Sequence, residues 1–276
     1  MRSSTIATHD EINWRGGRAV TASRLIAEET AVALSYNGST HAVMMATPAD
    51  LGDFGLGFTL TEGLVDRVSD ILSVDVVPSG LGIEIQIWLS GDPAAALAAR
   101  RRSMSGPVGC GLCGIESLEQ ARRKPAQVAS GAMFRANDLL EAMRALAPLQ
   151  VLHQQTRSVH AAALWHPASG ISLIREDVGR HNALDKLVGA ITAGGLSATG
   201  GAILLTSRVS VEMVQKAAAI GTPMVIAVSA PTTLAIRTAD EAGITLIAVA
   251  RSDGFSVFTH AHRVLLSSEA LHRAAS

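Results

Sequence analysis

The chain changes hydrophobic rhythm along its length. GIEIQIWLS (82–90) alternates apolar and polar positions and predicts a strand buried on one face. AVALSYNGSTHAVMMATP (31–48) sets two apolar runs around Asn37-Gly38, residues that tolerate positive φ, and predicts a β-hairpin. PADLGDFGLGFTLTEGLV (48–65) puts Leu51, Phe54, Phe58 and Leu60 on a helical stripe, with Pro48 and Asp50 suited to its start. Glycines 52, 55 and 57 weaken that helix, so backbone is expected to pass close to something there. Residues 1–20 are polar and glycine-containing with little period, and read as a loose start.

From about residue 137 the texture is α/β. NDLLEAMRALA predicts a helix with Asn137 as N-cap. HAAALWHPASGISLIREDVG reads as two strands joined at Pro167–Gly170, followed by the helix RHNALDKLVGAITAG. GAILLTS, VSVEMVQKAAAIG, PMVIAVSA, TLAIRTADEAG and ITLIAVARS then alternate strand and helix, and FSVFTH reads as a last strand. The strands are apolar throughout, as expected when a sheet is covered on both faces. This organisation gives a loose N-terminus (1–24), an N-terminal α+β subdomain (25–100), a flexible cysteine-bearing loop (101–135) and an α/β domain (136–276).

Composition narrows the function classes. Hydrophobic residues make up 48% of 276 and charged residues 17%, enough for a sizeable core. A net charge of −1 argues against a broad nucleic-acid footprint. No apolar run is long enough to span a bilayer, and the N-terminus lacks the apolar segment of a signal peptide; a cytoplasmic protein without a membrane role is expected. In that compartment a structural disulfide is disfavoured.

The only two cysteines, Cys110 and Cys113, stand together in SGPVGCGLCGIES. A structural zinc site needs four ligands, and there is no second CxxC. A thioredoxin-like pair follows a strand, whereas RRRSMSGPVG leads in here. The glycines describe a sterically open loop in which a thiol can meet a partner protein's cysteine. Arginines 100, 101, 102, 122 and 123, with Lys124, bracket the pair and favour thiolate. On spacing alone, redox and sulfur-transfer chemistry both remain open.

Polar residues gather where strands hand over to helices. His160 begins a strand in TRSVHAAAL, but the H-x-E of zinc deaminases is missing, so deaminase activity is disfavoured; a ligand contact and a satisfied strand-start histidine both remain open. REDVGRHNALDKLVG crowds Glu176, Asp177, Arg180, His181, Asn182, Asp185 and Lys186 at a helix start, a natural anion site. LLTSRVSVEM offers Thr206, Ser207, Arg208 and Ser210, and VSAPTTLA offers Ser229, Thr232 and Thr233. Three such turns describe a crevice beyond the strands' carboxyl ends, suited to a phosphate-bearing ligand. Neither G-x-G-x-x-G nor G-x-x-x-x-G-K-[ST] is present.

Taken in order, NGSTHAVMMATPADLGDFGLGFTLTEG, CGLCG, VHAAAL, EDVGRHNALDK, SVEMVQKAA and GTPMVIAVSAPTTLA resemble the FdhD-type formate dehydrogenase accessory sulfurtransferases, over roughly residues 25–260. The resemblance implies a cytidine deaminase-like three-layer C-terminal domain without zinc catalysis, and a smaller β-rich N-terminal subdomain. It implies a homodimer that takes persulfide sulfur from a cysteine desulfurase and delivers it to the molybdenum (or tungsten) bis-guanine-dinucleotide cofactor of formate dehydrogenase, with GDP-like nucleotides as mimics. Cys110 would carry the persulfide and Cys113 would assist or relay. The family's cofactor-binding segment falls by position on Phe255, Ser256, Val257, Phe258, Thr259 and His260. His160, Asp177, Arg180, His181, Ser207, Arg208 and Ser229 are the further candidate contacts. The competing readings are a non-catalytic cofactor-binding chaperone, a thiol redox enzyme and a zinc deaminase.

Overall fold

A computed structural model describes residues 4–91, 125–129 and 131–266. The chain opens with β1 (Ile6–Arg15) and β2 (Arg18–Ala27), an antiparallel hairpin. This corrects the loose start expected for residues 1–20. Gly16 and Gly17, at φ 54 and 79, supply the turn that the glycine pair encoded. Register puts Ile6, Ile12, Trp14 and Leu25 on one side of the hairpin, and His9, Glu11, Arg15, Arg18 and Arg24 on the other. Ile12 and Trp14 are 75% and 70% exposed, so hydrophobic patterning toward a core could not reveal these strands.

A four-stranded sheet follows, built from β3 (Thr30–Tyr36), β4 (Ser39–Ala46), β5 (Ile71–Ser79) and β6 (Gly82–Leu89) in the order β4-β3-β6-β5. The hairpin predicted around Asn37-Gly38 is β3–β4. Helix α1 (Leu51–Thr61) closes one face of this sheet, packing Leu51, Phe54 and Phe58 on Val32, Leu34, Tyr36, Ile85 and Ile87.

The C-terminal sheet comprises β8 (His160–His166), β9 (Gly170–Asp177), β10 (Ala202–Leu205), β11 (Met224–Ala227), β12 (Thr245–Arg251) and β13 (Gly254–Val257). Its order is β13-β12-β11-β10-β8-β9; β10, β11 and β12 run parallel, and β8, β9 and β13 pair antiparallel to their neighbours. A short parallel pair, β7 (Phe134–Arg135) with β14 (Val264–Leu265), lies beside it. Helices α2 (Ala136–Leu146), α3 (Val151–Thr156), α4 (Arg180–Ala193), α5 (Val211–Ala219) and α6 (Thr233–Ala242) complete the described α-helices. The helix predicted with Asn137 as N-cap begins two residues earlier, at Ala136. Arg135, handed over directly from β7, occupies the cap position, and Asn137 lies within the first turn.

Alternate residues of the central strands feed two cores. Ala162, Leu164, Ile203, Leu205, Val225 and Leu246 pack under α4, α5 and α6. Ala163, Trp165, Leu204, Met224, Ile226 and Ile247 pack against α2 and Phe134 on the other face. The domain is therefore three-layered, with the helix–sheet–helix arrangement its apolar strands imply. Residues 125–129 and 131–135, read as part of a flexible loop, are partly anchored here: Val128 and Phe134 are buried, and Val128 N–H donates to the Ala242 carbonyl at 2.8 Å.

The two units meet helix to helix. At the α1–α4 crossing a Cβ on Gly57 would collide with the Asp185 carbonyl, and one on Gly189 with the Asp53 carbonyl. Gly55 lies under Ile85, where a Cβ would sit 2.6 Å from its Cγ2. The glycines that weaken α1 as a helix thus admit the close approach expected of them.

Candidate functional site

The carboxyl ends of β9, β10, β11 and β12 lie at one end of the C-terminal sheet. Asp177, the last residue of β9, pairs with His160, the first of β8, while Leu205 at the end of β10 pairs with Ala162 and Ala227. The turns leaving β10 and β11 are bonded together: Thr232 N–H donates to the Val209 carbonyl at 2.9 Å, and Val209 bridges Pro231. Helices α4, α5 and α6 all begin at this end, so their positive dipole ends lie on the side where the crevice is expected. The turns leaving β9, β10 and β11 lie at the same end of the sheet.

REDVGRHNALDK, read as one polar cluster, divides in two. Asp177, Asn182, Asp185 and Lys186 face the N-terminal unit. Asp177 pairs with Lys186 at 2.6 Å, and both side chains are fully buried. Asp177 also accepts from the backbone N–H of Thr47 at 3.0 Å and of Gly179 at 2.7 Å, and from Asn182 Nδ2 at 2.9 Å. Lys186 Nζ donates to the Thr47 carbonyl, and Asn182 to that of Met45, each at 2.9 Å. One turn further on, Asp185 accepts from Lys216 Nζ at 2.9 Å and from Thr61 Oγ1 at 2.6 Å, and Lys216 also reaches Glu62 at 2.7 Å. Burial works against the Lys216 charge, but the carboxylates of Asp185 and Glu62 outweigh it and raise its pKa. Glu176 accepts from the N–H groups of Leu152 and His153, capping α3. Asp177, a candidate ligand contact, thus has its oxygens engaged in joining the two units.

The other part of the segment faces the crevice. Burial first, then the Arg180 charge, lowers the His160 pKa and favours neutral imidazole. His181, in the first turn of α4, points Nε2 at Glu212 Oε2 on α5, 3.9 Å away. Both atoms are enclosed, and among the described residues neither has a hydrogen-bond partner. Burial penalises the Glu212 carboxylate, but donors set close by on His181, Ser210 and its own backbone outweigh this and hold its pKa at about 2. Glu212 was missed as a site residue; an acidic residue two places past Ser210, at the start of α5, was the available signal. Ser207 is buried and donates to the Arg208 carbonyl at 3.0 Å, Arg208 is exposed, and Ser229 is half-buried with its carbonyl accepting from Val249 N–H. Val249 has φ 55, an uncommon conformation for a β-branched residue, at an irregularity in β12.

The segment Phe255–His260 runs away from this crevice. Gly254 pairs with Arg251, so Phe255 and the exposed Ser256 lie near the crevice end. Val257 pairs with Ile247, and Phe258 N–H donates to the Leu246 carbonyl. Thr259 is buried against Ile244 and Leu246, and His260 reaches Asp240 toward the far end of α6. The structure therefore brings His160, Arg180, His181, Ser207, Arg208 and Ser229 to one end of the sheet and leaves Thr259 and His260 at the other. Cys110 and Cys113 lie outside the described residues. Among the described residues, no helix is long and apolar enough to cross a membrane.

Residues 27–265 match the model of the FdhD/NarQ family. The chain is 53% identical over 253 residues to the "Sulfur carrier protein FdhD" of Agrobacterium fabrum, covering 91% of this chain and 93% of that one. It is 49% identical to the protein of the same name from Cupriavidus necator, covering 94% and 90%. A solved structure, "Crystal structure of a putative formate dehydrogenase accessory protein from Desulfotalea psychrophila", superposes with a TM-score of 0.76 at 26% identity, covering 95% of this chain and all of that one. The family match spans both units and the crevice between the strand ends: the chain belongs to the FdhD/NarQ family.

Proposed function

We propose that this chain is a sulfur carrier for formate dehydrogenase maturation. The observation that carries the reading is the sole pair of thiols, in CGLCG, within a chain about half identical, nearly end to end, to proteins named sulfur carriers. The Cys110 thiolate attacks the outer sulfur of a persulfide on a cysteine desulfurase, and the donor cysteine leaves as thiolate. Delivery as sulfide requires two electrons. Cys113 supplies them by attacking Cys110 Sγ, which forms the Cys110–Cys113 disulfide and releases hydrosulfide; an external dithiol then restores both thiols.

The receiving substrate is the molybdenum bis-guanine-dinucleotide cofactor, later inserted into formate dehydrogenase. The helix starts of α4, α5 and α6, with Arg180 and Arg208, suit its phosphates. Intact-protein mass spectrometry after incubation with a cysteine desulfurase and cysteine tests the reading. A reducible gain of about 32 Da in the wild type and in Cys113→Ala, absent from Cys110→Ala, is expected. No gain in any form, beside a donor shown to be active, would replace the carrier with a chaperone that only binds the cofactor.

A further inference from the structure

The hairpin β1–β2 and the four-stranded sheet each leave an apolar face open in one chain. In the hairpin, Ile12 and Trp14 share a face with Leu25, and all three are exposed. Among the described residues the hairpin rests on its own chain chiefly where β2 meets α3, with Arg24 Nη2 donating to the Thr156 carbonyl at 3.5 Å. A two-stranded hairpin is marginal in water by itself and gains stability from a further layer against its apolar face. In the sheet, α1 covers the face of Val32, Leu34, Ile85 and Ile87. Register puts Val43, Met45, Val77 and Trp88 on the opposite face, between 38% and 62% exposed.

The two surfaces do not cover each other within one chain, since both stay exposed, but they are complementary. The hairpin tip, from Ile12 to Thr21, carries Arg15 and Arg18 and no acidic residue. These arginines face each other across the turn beside Trp14, on stems long enough to reach round the ribbon. The four strands of the sheet carry Asp75 and Glu84 and no lysine or arginine. Both acids lie on the open face, Glu84 opposite Val77 and Asp75 opposite Gln86. Opposite charges therefore border two apolar surfaces, which favours one docking register over others. The size is also adequate. A ten-residue ribbon is about 33 Å long and about 10 Å wide, a face of roughly 330 Å². A copy that gives one such face and receives another buries roughly 660 Å², near the ~800 Å² per partner of a stable interface.

We propose that two copies of this chain pair by exchanging these arms. The hairpin of each lies with Ile12 and Trp14 against the open sheet face of the other, and its Arg15 and Arg18 meet Asp75 and Glu84 of the partner subunit. Giving and receiving are reciprocal, so the contact closes on a two-fold axis. The pairing stands independently of the sulfur-carrier reading.

Sedimentation velocity on the full-length protein over a dilution series tests it, with reductant present so that cysteines cannot link the copies. The wild type should be a dimer that dissociates on dilution. Trp14→Ser should weaken it at least about 30-fold. Two charge-swapped proteins, Arg15→Glu with Arg18→Glu and Asp75→Lys with Glu84→Lys, should each remain folded by circular dichroism and each dimerise poorly. Mixed together they should form a dimer again, because both contacts of the mixed pair then join opposite charges. A monomeric wild type would overturn the exchange and leave both surfaces to a different partner. A dimer indifferent to Trp14→Ser, or folded charge-swapped proteins that do not pair on mixing, would overturn it by placing the interface elsewhere.

Discussion

Two faces of helix α4 solve opposite problems with neighbouring residues of one segment. Toward the N-terminal unit, Asp177, Asn182, Asp185 and Lys186 are buried and densely bonded, with Asp177 alone receiving Lys186, Asn182 and two backbone N–H groups. Toward the crevice, His181 and Glu212 are also largely buried, yet their facing atoms are left 3.9 Å apart, without hydrogen-bond partners among the described residues. A satisfied buried network rigidifies a join, whereas a partly satisfied one is tolerated where it serves a ligand or a proton. The difference separates residues that hold the fold from residues available for chemistry.

The largest effect should come from breaking the seam. Lys186→Met leaves the Asp177 carboxylate buried without its cation, and a loss of about 3–5 kcal/mol is expected in denaturant unfolding. Joint replacement with Asp177→Asn should restore part of that loss, because no uncompensated charge then remains. A loss below about 1 kcal/mol for the single variant would show that the seam is not the rigid side of the comparison.

Glu212 provides the corresponding test in the crevice. Its pKa is depressed from 4.5 to about 2 in the folded chain, so the unfolded chain binds the proton first as pH falls. The stability it contributes is whole above about pH 4.5 and is lost as pH falls through about 2. The difference in unfolding free energy between wild type and Glu212→Gln should therefore shrink by roughly 3 kcal/mol across that window. A constant difference would mean that the carboxylate is not held ionised by its surroundings.

The smallest effect should have the opposite sign. Val249 occupies left-handed backbone at φ 55 beside Ser229, so Val249→Gly should relieve strain and raise stability by about 1 kcal/mol in thermal unfolding. Destabilisation would indicate that the half-buried valine side chain contributes more than its backbone conformation costs.

Much of this architecture is legible in the sequence because its signals are local. Asn37-Gly38 specifies a turn by conformational preference, GIEIQIWLS shows its buried face by alternation, and the apolar runs of β8 and β10–β12 announce a sheet covered on both sides. The hairpin at residues 6–27 escaped because its apolar side, with Ile12 and Trp14, has no core to face. Gly16-Gly17 was its one readable signal.

The sequence by itself determined the element types, the crowding of polar residues at the strand-to-helix turns, and the chemistry open to Cys110 and Cys113, because each depends on residue identity and short-range spacing. Only the tertiary structure decided which of those polar residues are free to act. Asp177 and His181 are four positions apart in similar surroundings, and nothing local distinguishes them. Their roles divide because α1 crosses α4 at Gly57 and Gly189, bringing Thr47 and Thr61 against one side of the segment, while the start of α5 brings Glu212 to the other. Burial and partners are set by elements distant in sequence, and these assign one residue to the join and the other to the crevice.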